Sequence, residues 1–432
     1  MDKIVFGGGF SFVDLFAGCG GLSLGLLKSG WKGFFAVEKS PYAFTTFRHN
    51  LIDGNQIIFQ DNSNFCDWPD WLEKREWEIS DILGRHFDRL CDLRGKIRLL
   101  AGGPPCQGFS YAGKRSSTDE RNQLFKKYIE FVEILDPAVV LIENVSGMNI
   151  PFPESKGGKS YAKKLYDALD QKYHVEQDVL QSSRFGVPQL RPRFITIGFH
   201  RQKNVITGSF FEELEKNRLP FLTSKGLSTS FPVSVEEAIG DIHRCYSTRI
   251  CKDLESPKGL FREISYNERG IRSAYQRLMR EHCPPDYQPN SLRLVNHHPG
   301  TIEKFRIVRE SCRAGVSLST TERKHLNEHM NIEIKKHSIV FLDKNKPAHT
   351  ITTLPDDLVH FKQQRVHTVR EYARFQSFPD WFEFKGKYTT GGPERKLEVP
   401  RYTQVGNAVP PLLAEVIGIT IKKILDDSGW QH

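Results

Sequence analysis

The sequence predicts an α/β fold: a parallel sheet flanked by helices over the first part of the chain, joined to a second, irregular mixed domain. Three observations predict it. Apolar, strand-like runs alternate with helix-like runs through the first 200 residues, the rhythm of parallel βα units. A glycine cluster, Gly18, Gly20 and Gly21, stands between the first strand and the first helix. The run PAVVLIEN at 137–144 is apolar without alternation, the composition of a strand covered on both faces.

The elements follow in order. FSFVDLF (10–16) is a strand, and GGLSLGLLKSG (20–30) opens a helix that ends at a glycine. GFFAVE (33–38) is a second strand, PYAFTTFRHN (41–50) a helix with proline at a favoured first position, and QIIFQD (56–61) a third strand. A charged, Trp-containing insertion at 67–94 reads as helical, and KIRLLAGG (96–103) is the fourth strand. NQLFKKYIEFVEIL (122–135) has helical spacing, with Leu124, Phe125, Ile129, Val132 and Leu135 on one face. PAVVLIEN follows, and RFITIGF (193–199) closes the sheet. From 201 to 345 prolines, glycines and histidines interrupt short mixed runs, so a boundary is expected near 200. Strand and helix signals return at AHTITTL (348–354) and TVREYARFQSF (368–378). PLLAEVIGITIKKILDD (411–427) is a helix with a long apolar face, whose expected host is the first sheet. The expected organisation is therefore 1–200, 201–345, and a return segment 346–432 that completes the first domain.

Composition narrows the partners. The chain has 432 residues, enough for two or three domains with a sizeable core. No apolar stretch reaches the ~18 residues of a membrane span, and MDKIVFGGGF carries no secretory pattern. The eight cysteines form no CxxC pair, which argues against a zinc knuckle or a disulfide framework and suits a reducing cytoplasm. Net charge is +9, which favours a polyanionic partner over a neutral metabolite. Of that surplus, 201–345 carries 6, with 24 Lys and Arg against 18 Asp and Glu.

Three places carry chemistry. In LLAGGPPCQGFS (99–110), Cys106 follows Pro104 and Pro105, which stiffen the turn at a strand end, while Gly102 and Gly103 admit close approach. A thiolate so presented is a strong nucleophile; the competing reading is a buried structural cysteine. In DLFAGCGG, glycine N–H groups at a helix start suit a nucleotide-like ligand. Glu38, ending the second strand 20 residues after Gly18, is placed for ribose hydroxyls, and Asp61 for an adenine amino group. The dinucleotide fingerprint wants glycine or alanine at 23, and Ser23 stands there, which turns the reading toward S-adenosylmethionine. Third, Glu143 ends a buried strand, where burial raises a carboxyl pKa and suits a proton donor; a helix-capping carboxylate is the alternative. In VPQLRPRF, Gln189, Arg191 and Arg193 alternate and would share one strand face, crowded arginines that call for an anion or polar ligand unless the strand is an ordinary surface one.

In this order the motifs resemble those of the DNA (cytosine-5)-methyltransferases of prokaryotic restriction-modification systems over nearly the whole chain. DLFAGCGGLSLG, Glu38, Asp61, GGPPCQGFS, DERNQLF (119–125), ENV (143–145), QLRPR (189–193), RVHTVREYARFQSFPD (365–380) and QVGNAVPP (404–411) match successive family motifs. The departures are the insertion at 67–94 and Ala408, where the family often has serine. The resemblance implies a Rossmann-like S-adenosylmethionine-dependent methyltransferase sheet with a target-recognition domain at 201–345. It implies that Cys106 adds to cytosine C6, that Glu143 protonates N3, and that Arg193, with Arg191 nearby, holds the base oxygen. It places the methyl donor S-adenosylmethionine against Phe16, Ala17, Gly18, Gly20, Gly21, Leu22, Glu38, Asp61, Pro104, Leu124, Asn407 and Ala408, with no metal. The base must be flipped out of the helix, and Gln107–Thr118 would be a mobile loop closing over it. Implied partners are double-stranded DNA and a cognate restriction endonuclease; a cytoplasmic monomer with no membrane association is expected.

Two other functions compete. A relative acting on transfer RNA is disfavoured by the long 201–345 region, and a non-catalytic DNA-binding protein by intact Cys106, Glu143 and Arg193.

Overall fold

A computed structural model describes residues 11–54, 65, 67–105, 122–150, 160–203, 208–244, 247–257, 259–329, 339–390, 394 and 398–428. The chain packs as two compact units, Met1–Gln181 with Pro192–Phe221 and Val409–His432, and Ser182–Arg191 with Leu222–Ala408. This division by packing differs from the functional partition expected from the sequence, because 346–408 packs in the second unit and 409–432 in the first.

Elements are numbered along the chain. The first unit is built on β1 (Ser11–Leu15), α1 (Gly21–Lys28), β2 (Lys32–Val37), α2 (Pro41–Phe47), α3 (Ile79–Arg85), α4 (Phe87–Cys91), β3 (Leu99–Gly102), α5 (Asn122–Leu135), β4 (Val139–Asn144), α6 (Tyr161–Leu169) and β5 (Tyr173–Gln181). The short β6 (Gln189–Leu190) belongs to the second unit, and β7 (Pro192–His200) returns to the first. The sheet order is β2-β1-β3-β4-β7-β5. The first four of these strands run parallel, while β7 is antiparallel to both β4 and β5, so the sheet is mixed rather than all parallel. Strand β5, YHVEQDVLQ, is an edge strand whose polar residues fall on both parities, so it carries no alternation signal. The expected strand at 56–61 lies outside the described residues.

Parallel strands β1, β3 and β4 are buried along almost their whole length, as their unbroken apolar runs require. Helix α5 covers β3 and β4. Its buried centre is Tyr128, Phe131 and Leu135 rather than Ile129, and the Tyr128 hydroxyl donates to the Leu100 carbonyl at 2.9 Å. Only the second half of the 67–94 insertion is helical. Its first half is a turn structure gathered around buried Trp68 and Trp77, and the Trp77 N–H donates to the Glu38 carbonyl at 2.9 Å. The last helix packs closely on α1. Gly25 is the reason: a Cβ there would sit 2.4 Å from Ala414 Cβ, so glycine lets the two helices close, and the Trp31 indole N–H donates to the Gly418 carbonyl at 3.0 Å.

The 201–345 region is more helical than its sequence suggests. Helix α7 (Phe210–Ser224) starts in the first unit, and α8 (Val235–Arg244) in the second has a buried face of Val235, Ala238, Ile239 and Ile242. Hairpin β8 (Ser247–Ile250) and β9 (Arg262–Ser265) follows, then α9 (Ala274–Met279), α10 (Pro299–Ser311) and α11 (Thr320–His329). Short strands β10 (Val340–Phe341), β11 (Ala348–His349) and β12 (Leu358–Val359) lead to α12 (Val369–Phe375) and α13 (Arg401–Asn407). Helix α14 (Pro411–Asp427) completes the first unit. Strand β11 pairs with β6, and β10 with β12. The second unit holds a buried ionic hub: Arg374 donates to Asp241 and Asp380, all three fully inaccessible, and the Tyr266 hydroxyl donates to Asp241. Among the described residues no helix is long and apolar enough to cross a membrane.

Candidate active site

The turn after β1 is built from unusual backbone. Phe16, Gly18 and Gly20 all have positive φ, at 61°, 58° and 99°. Glycine suits the last two; at Phe16 the same conformation is strained, and such strain gathers where a site demands it. The turn is held from the second strand: Ala17 N–H donates to Val37, and Gly18 N–H donates to Glu38 Oε2 at 2.9 Å. Glu38 Oε1 accepts from Ser40 N–H at 2.7 Å. Burial pushes the Glu38 carboxyl upward, against these backbone donors. The carboxylate is an acceptor pair of the kind suited to a vicinal diol. A Cβ on Gly18 would meet nothing within 4 Å, which leaves open space in front of that backbone. Ala17, Gly20, Gly21 and Leu22 line the same turn and helix start, all buried. These residues fit an adenosine-type ligand.

Below the turn, Asp14 is fully buried and accepts from the Ser23 hydroxyl at 2.6 Å. Burial raises its carboxyl to about 7. Serine at 23 is thus a partner for Asp14, a pairing that spacing alone does not reveal. Cys19, beside the glycines, is buried and its thiol pushed up to about 12, chiefly by burial, which leaves it inert.

The second group sits at the ends of β3 and β4. Glu143 is buried, and Arg193, from the neighbouring β7, meets its Oε1 at 2.5 Å. Its other oxygen, Oε2, faces Gly103, where a Cβ would lie 3.2 Å away. Burial raises the Glu143 pKa and the Arg193 charge opposes the rise. Asn144 donates from Nδ2 to the Pro104 carbonyl at 3.1 Å, which ties the proline turn before Cys106 to the end of β4. Sequence reasoning did not find this tie, since a terminal asparagine has many uses. Leu124 is half-buried in the first turn of α5. Cys106, Asp61 and the 107–118 loop lie outside the described residues.

The two arginines do not share a face. Pro192 separates β6 from β7, and Arg191 turns into the second unit while Arg193 stays in the first. Buried Arg191 donates to the Ile351 carbonyl at 3.1 Å and the Gly406 carbonyl at 2.6 Å. Gln189 donates to Gln376 Oε1 at 3.0 Å, and Gln376 donates to the carbonyls of Val405 and Ala408. The network fastens the 405–408 backbone, leaving the Asn407 side chain exposed and Ala408 buried in the second unit. Among the described residues no group of three His, Cys, Asp or Glu side chains could hold a metal ion.

This arrangement can be set beside known proteins. Residues 10–423 match the model of the C-5 cytosine-specific DNA methylase family. The chain belongs to that family. The methylase is 29% identical over 416 residues to the Type II methyltransferase M.DdeI of Desulfomicrobium norvegicum, across 94% of this chain and 87% of that protein. It is equally 29% identical over 427 residues to the Type II methyltransferase M1.HphI of Haemophilus parahaemolyticus, across 96% and 87%. Among solved structures, a prophage-encoded DNA modification methyltransferase from E. coli superposes with a TM-score of 0.60 at 22% identity, covering 96% of this chain and 99% of that one. That likeness supports the fold: a methyltransferase sheet flanked by helices.

Proposed function

We propose that this C-5 cytosine methylase transfers a methyl group from S-adenosylmethionine to C5 of a flipped cytosine in a specific duplex DNA sequence, through a covalent adduct with Cys106. The observation that carries the reading is the Glu143 carboxyl, held by Arg193 on one oxygen and turned toward Gly103 with the other. S-adenosylmethionine, when bound, supplies an electrophilic methyl group. Phe16, Gly18 and Glu38 would hold its adenosine portion, with Asp61, Leu124 and Asn407 completing the pocket.

The chain's own residues then act on the base. The Cys106 thiolate forms a bond to C6 as Glu143 gives a proton to N3, which makes C5 nucleophilic. Arg193 holds the base oxygen as charge develops there. Arg191 serves indirectly, through the backbone it fastens. After methylation at C5, a water takes the C5 proton as the sulfur–C6 bond breaks to return the thiolate, and N3 gives its proton back to the Glu143 carboxylate, which restores both the ring and the acid. Segment 201–345 would choose the sequence, and the setting would be a cytoplasmic restriction-modification system with a cognate endonuclease.

Incubation with tritiated S-adenosylmethionine and either duplex DNA or transfer RNA tests the reading. Label is expected in duplex DNA alone, and bisulfite sequencing of DNA from expressing cells should then reveal one recurrent site. Label in transfer RNA only, or in neither, would overturn it.

A further inference from the structure

The insertion at 67–94 departs from the family motifs, and the chemistry above does not use it. It is nonetheless fastened to a residue placed for the methyl donor. The Trp77 backbone N–H donates to the Glu38 carbonyl at 2.9 Å. Strand β2 is the outermost strand on its side of the sheet. From within the sheet, Ala17 N–H donates to the Val37 carbonyl and Gly18 N–H to Glu38 Oε2. At the outer edge no further strand is paired with β2, and the insertion supplies a donor to Glu38.

Trp77 itself is firmly held. Its indole N–H donates to the Glu73 carbonyl at 2.9 Å, and the Arg75 guanidinium stacks 3.7 Å over its ring. His86, between α3 and α4, makes a T-shaped contact with Trp77 at 5.5 Å and leans on Trp71 at 5.3 Å. Trp71 in turn packs against Phe35 of β2. The insertion also grips α2 and its end, through Trp68 against Phe44 and the Lys74 carbonyl, which accepts from Arg48 at 3.3 Å. It therefore bridges β2 and α2, the two elements that flank Glu38 and Ser40. A buried aromatic cluster can simply fill space. One that ends on the backbone of Glu38 also fixes where that carboxylate points, and an acceptor pair aimed at a diol needs placement within about 0.5 Å.

We propose that the 67–94 insertion braces the methyl-donor site, with Trp77 as a positioning residue that acts on S-adenosylmethionine through Glu38. The proposal rests on the function proposed above. A brace that works through Glu38 has nothing to position once the carboxylate is gone, so its loss should then cost little.

Calorimetric titration of the protein with S-adenosylhomocysteine, the donor without its methyl group, provides the test. Trp77→Ala should weaken binding roughly tenfold when Glu38 is intact, and within about twofold when Glu38→Ala is already present. His86→Ala is a milder cut into the same cluster, because His86 is only half-buried. It should show the same dependence on Glu38 with a smaller loss, and it carries the test if Trp77→Ala does not fold. Phe87→Ala, an exposed residue of the same insertion, should change nothing. In methylation assays Trp77→Ala should raise KM for S-adenosylmethionine and leave kcat near wild type. Equal losses with and without Glu38, no loss in either, a matching loss in Phe87→Ala, or a fall in kcat at unchanged KM would overturn the brace. Failure of the underlying function looks different, since the wild-type protein would then not bind S-adenosylhomocysteine.

Discussion

At the scale of single residues, the site turns on how a carboxyl is kept able to give up a proton beside an arginine. Glu143 has Oε1 on Arg193 and Oε2 toward Gly103, and in the proposed reaction it is Oε2 that meets the base. Glu143→Gln retains the shape and the hydrogen bond but has no acidic proton, so methylation should fall on the order of a hundredfold to ten-thousandfold. DNA affinity, measured by filter binding, should hardly change; a parallel fall in affinity would make Glu143 a binding residue. Cys106→Ser should abolish turnover while S-adenosylmethionine binding persists, because a serine hydroxyl is far harder to ionise than a thiol. A duplex with 5-fluorocytosine at the target should give an adduct that survives denaturation, since fluorine does not depart as a proton does. The burial of Glu143 at the end of β4 was legible from the apolar run before it, while Cys106 lies outside the described residues. The contacts of Asn144, Gln376 and the Asp14–Ser23 pair were not legible, because they depend on partners up to 187 residues away. Arg191 was misplaced for a related reason: alternation assumed one strand where Pro192 begins another.

At the scale of elements, long periodic helices declared themselves and short or polar ones did not. Helices α5 and α14 fall at the bounds their periodicity implied, 122–135 and 411–427. Strand β5 stayed hidden because half its residues face solvent at the sheet edge, and α7 and α8 because the sequence around them is broken by proline and glycine. That α14 also meets α1 was not legible from its apolar face, and the glycines explain that contact. Gly25→Ala gains about 1 kcal/mol of helix propensity, but its Cβ would lie 2.5 Å from the Pro411 carbonyl oxygen and 2.4 Å from Ala414 Cβ. Overpacking of that kind costs about 1–3 kcal/mol, so net destabilisation is expected. Gly84 in α3 has nothing within 4 Å of such a Cβ, and Gly84→Ala should stabilise by about 0.5–1 kcal/mol. Urea denaturation of the two variants checks both signs; a stabilised Gly25→Ala would mean that the α1–α14 contact is looser than described.

At the scale of the whole molecule, the two units should answer pH in opposite directions. In the second, His360 and His367 are buried, and burial holds both imidazoles neutral, His367 down to about 4. The unfolded chain takes up protons near 6.5, so this stabilisation is present above that pH and fades as pH falls toward 4. In the first unit, Asp14 keeps its proton until about pH 7, whereas the unfolded carboxyl loses it near 3.8. Its contribution is therefore present at low pH and fades as pH rises through 7. Hydrogen exchange resolved by segment, corrected for intrinsic rates, should show the second unit loosening as pH falls below 6.5 and the first loosening as pH rises from about 4 to 7. Asp14→Asn should flatten the trend of the first unit, and parallel trends in both units would contradict the assignment.

The pairing of α1 with α14 also sets an order of events during synthesis. The indole of Trp31 waits for a carbonyl 387 residues further along the chain. At roughly 5–20 residues per second, the ribosome takes on the order of a minute to deliver it. Until then the surface of α1 that α14 covers has no lid. A message cut short before codon 411 yields a first unit with that surface permanently open.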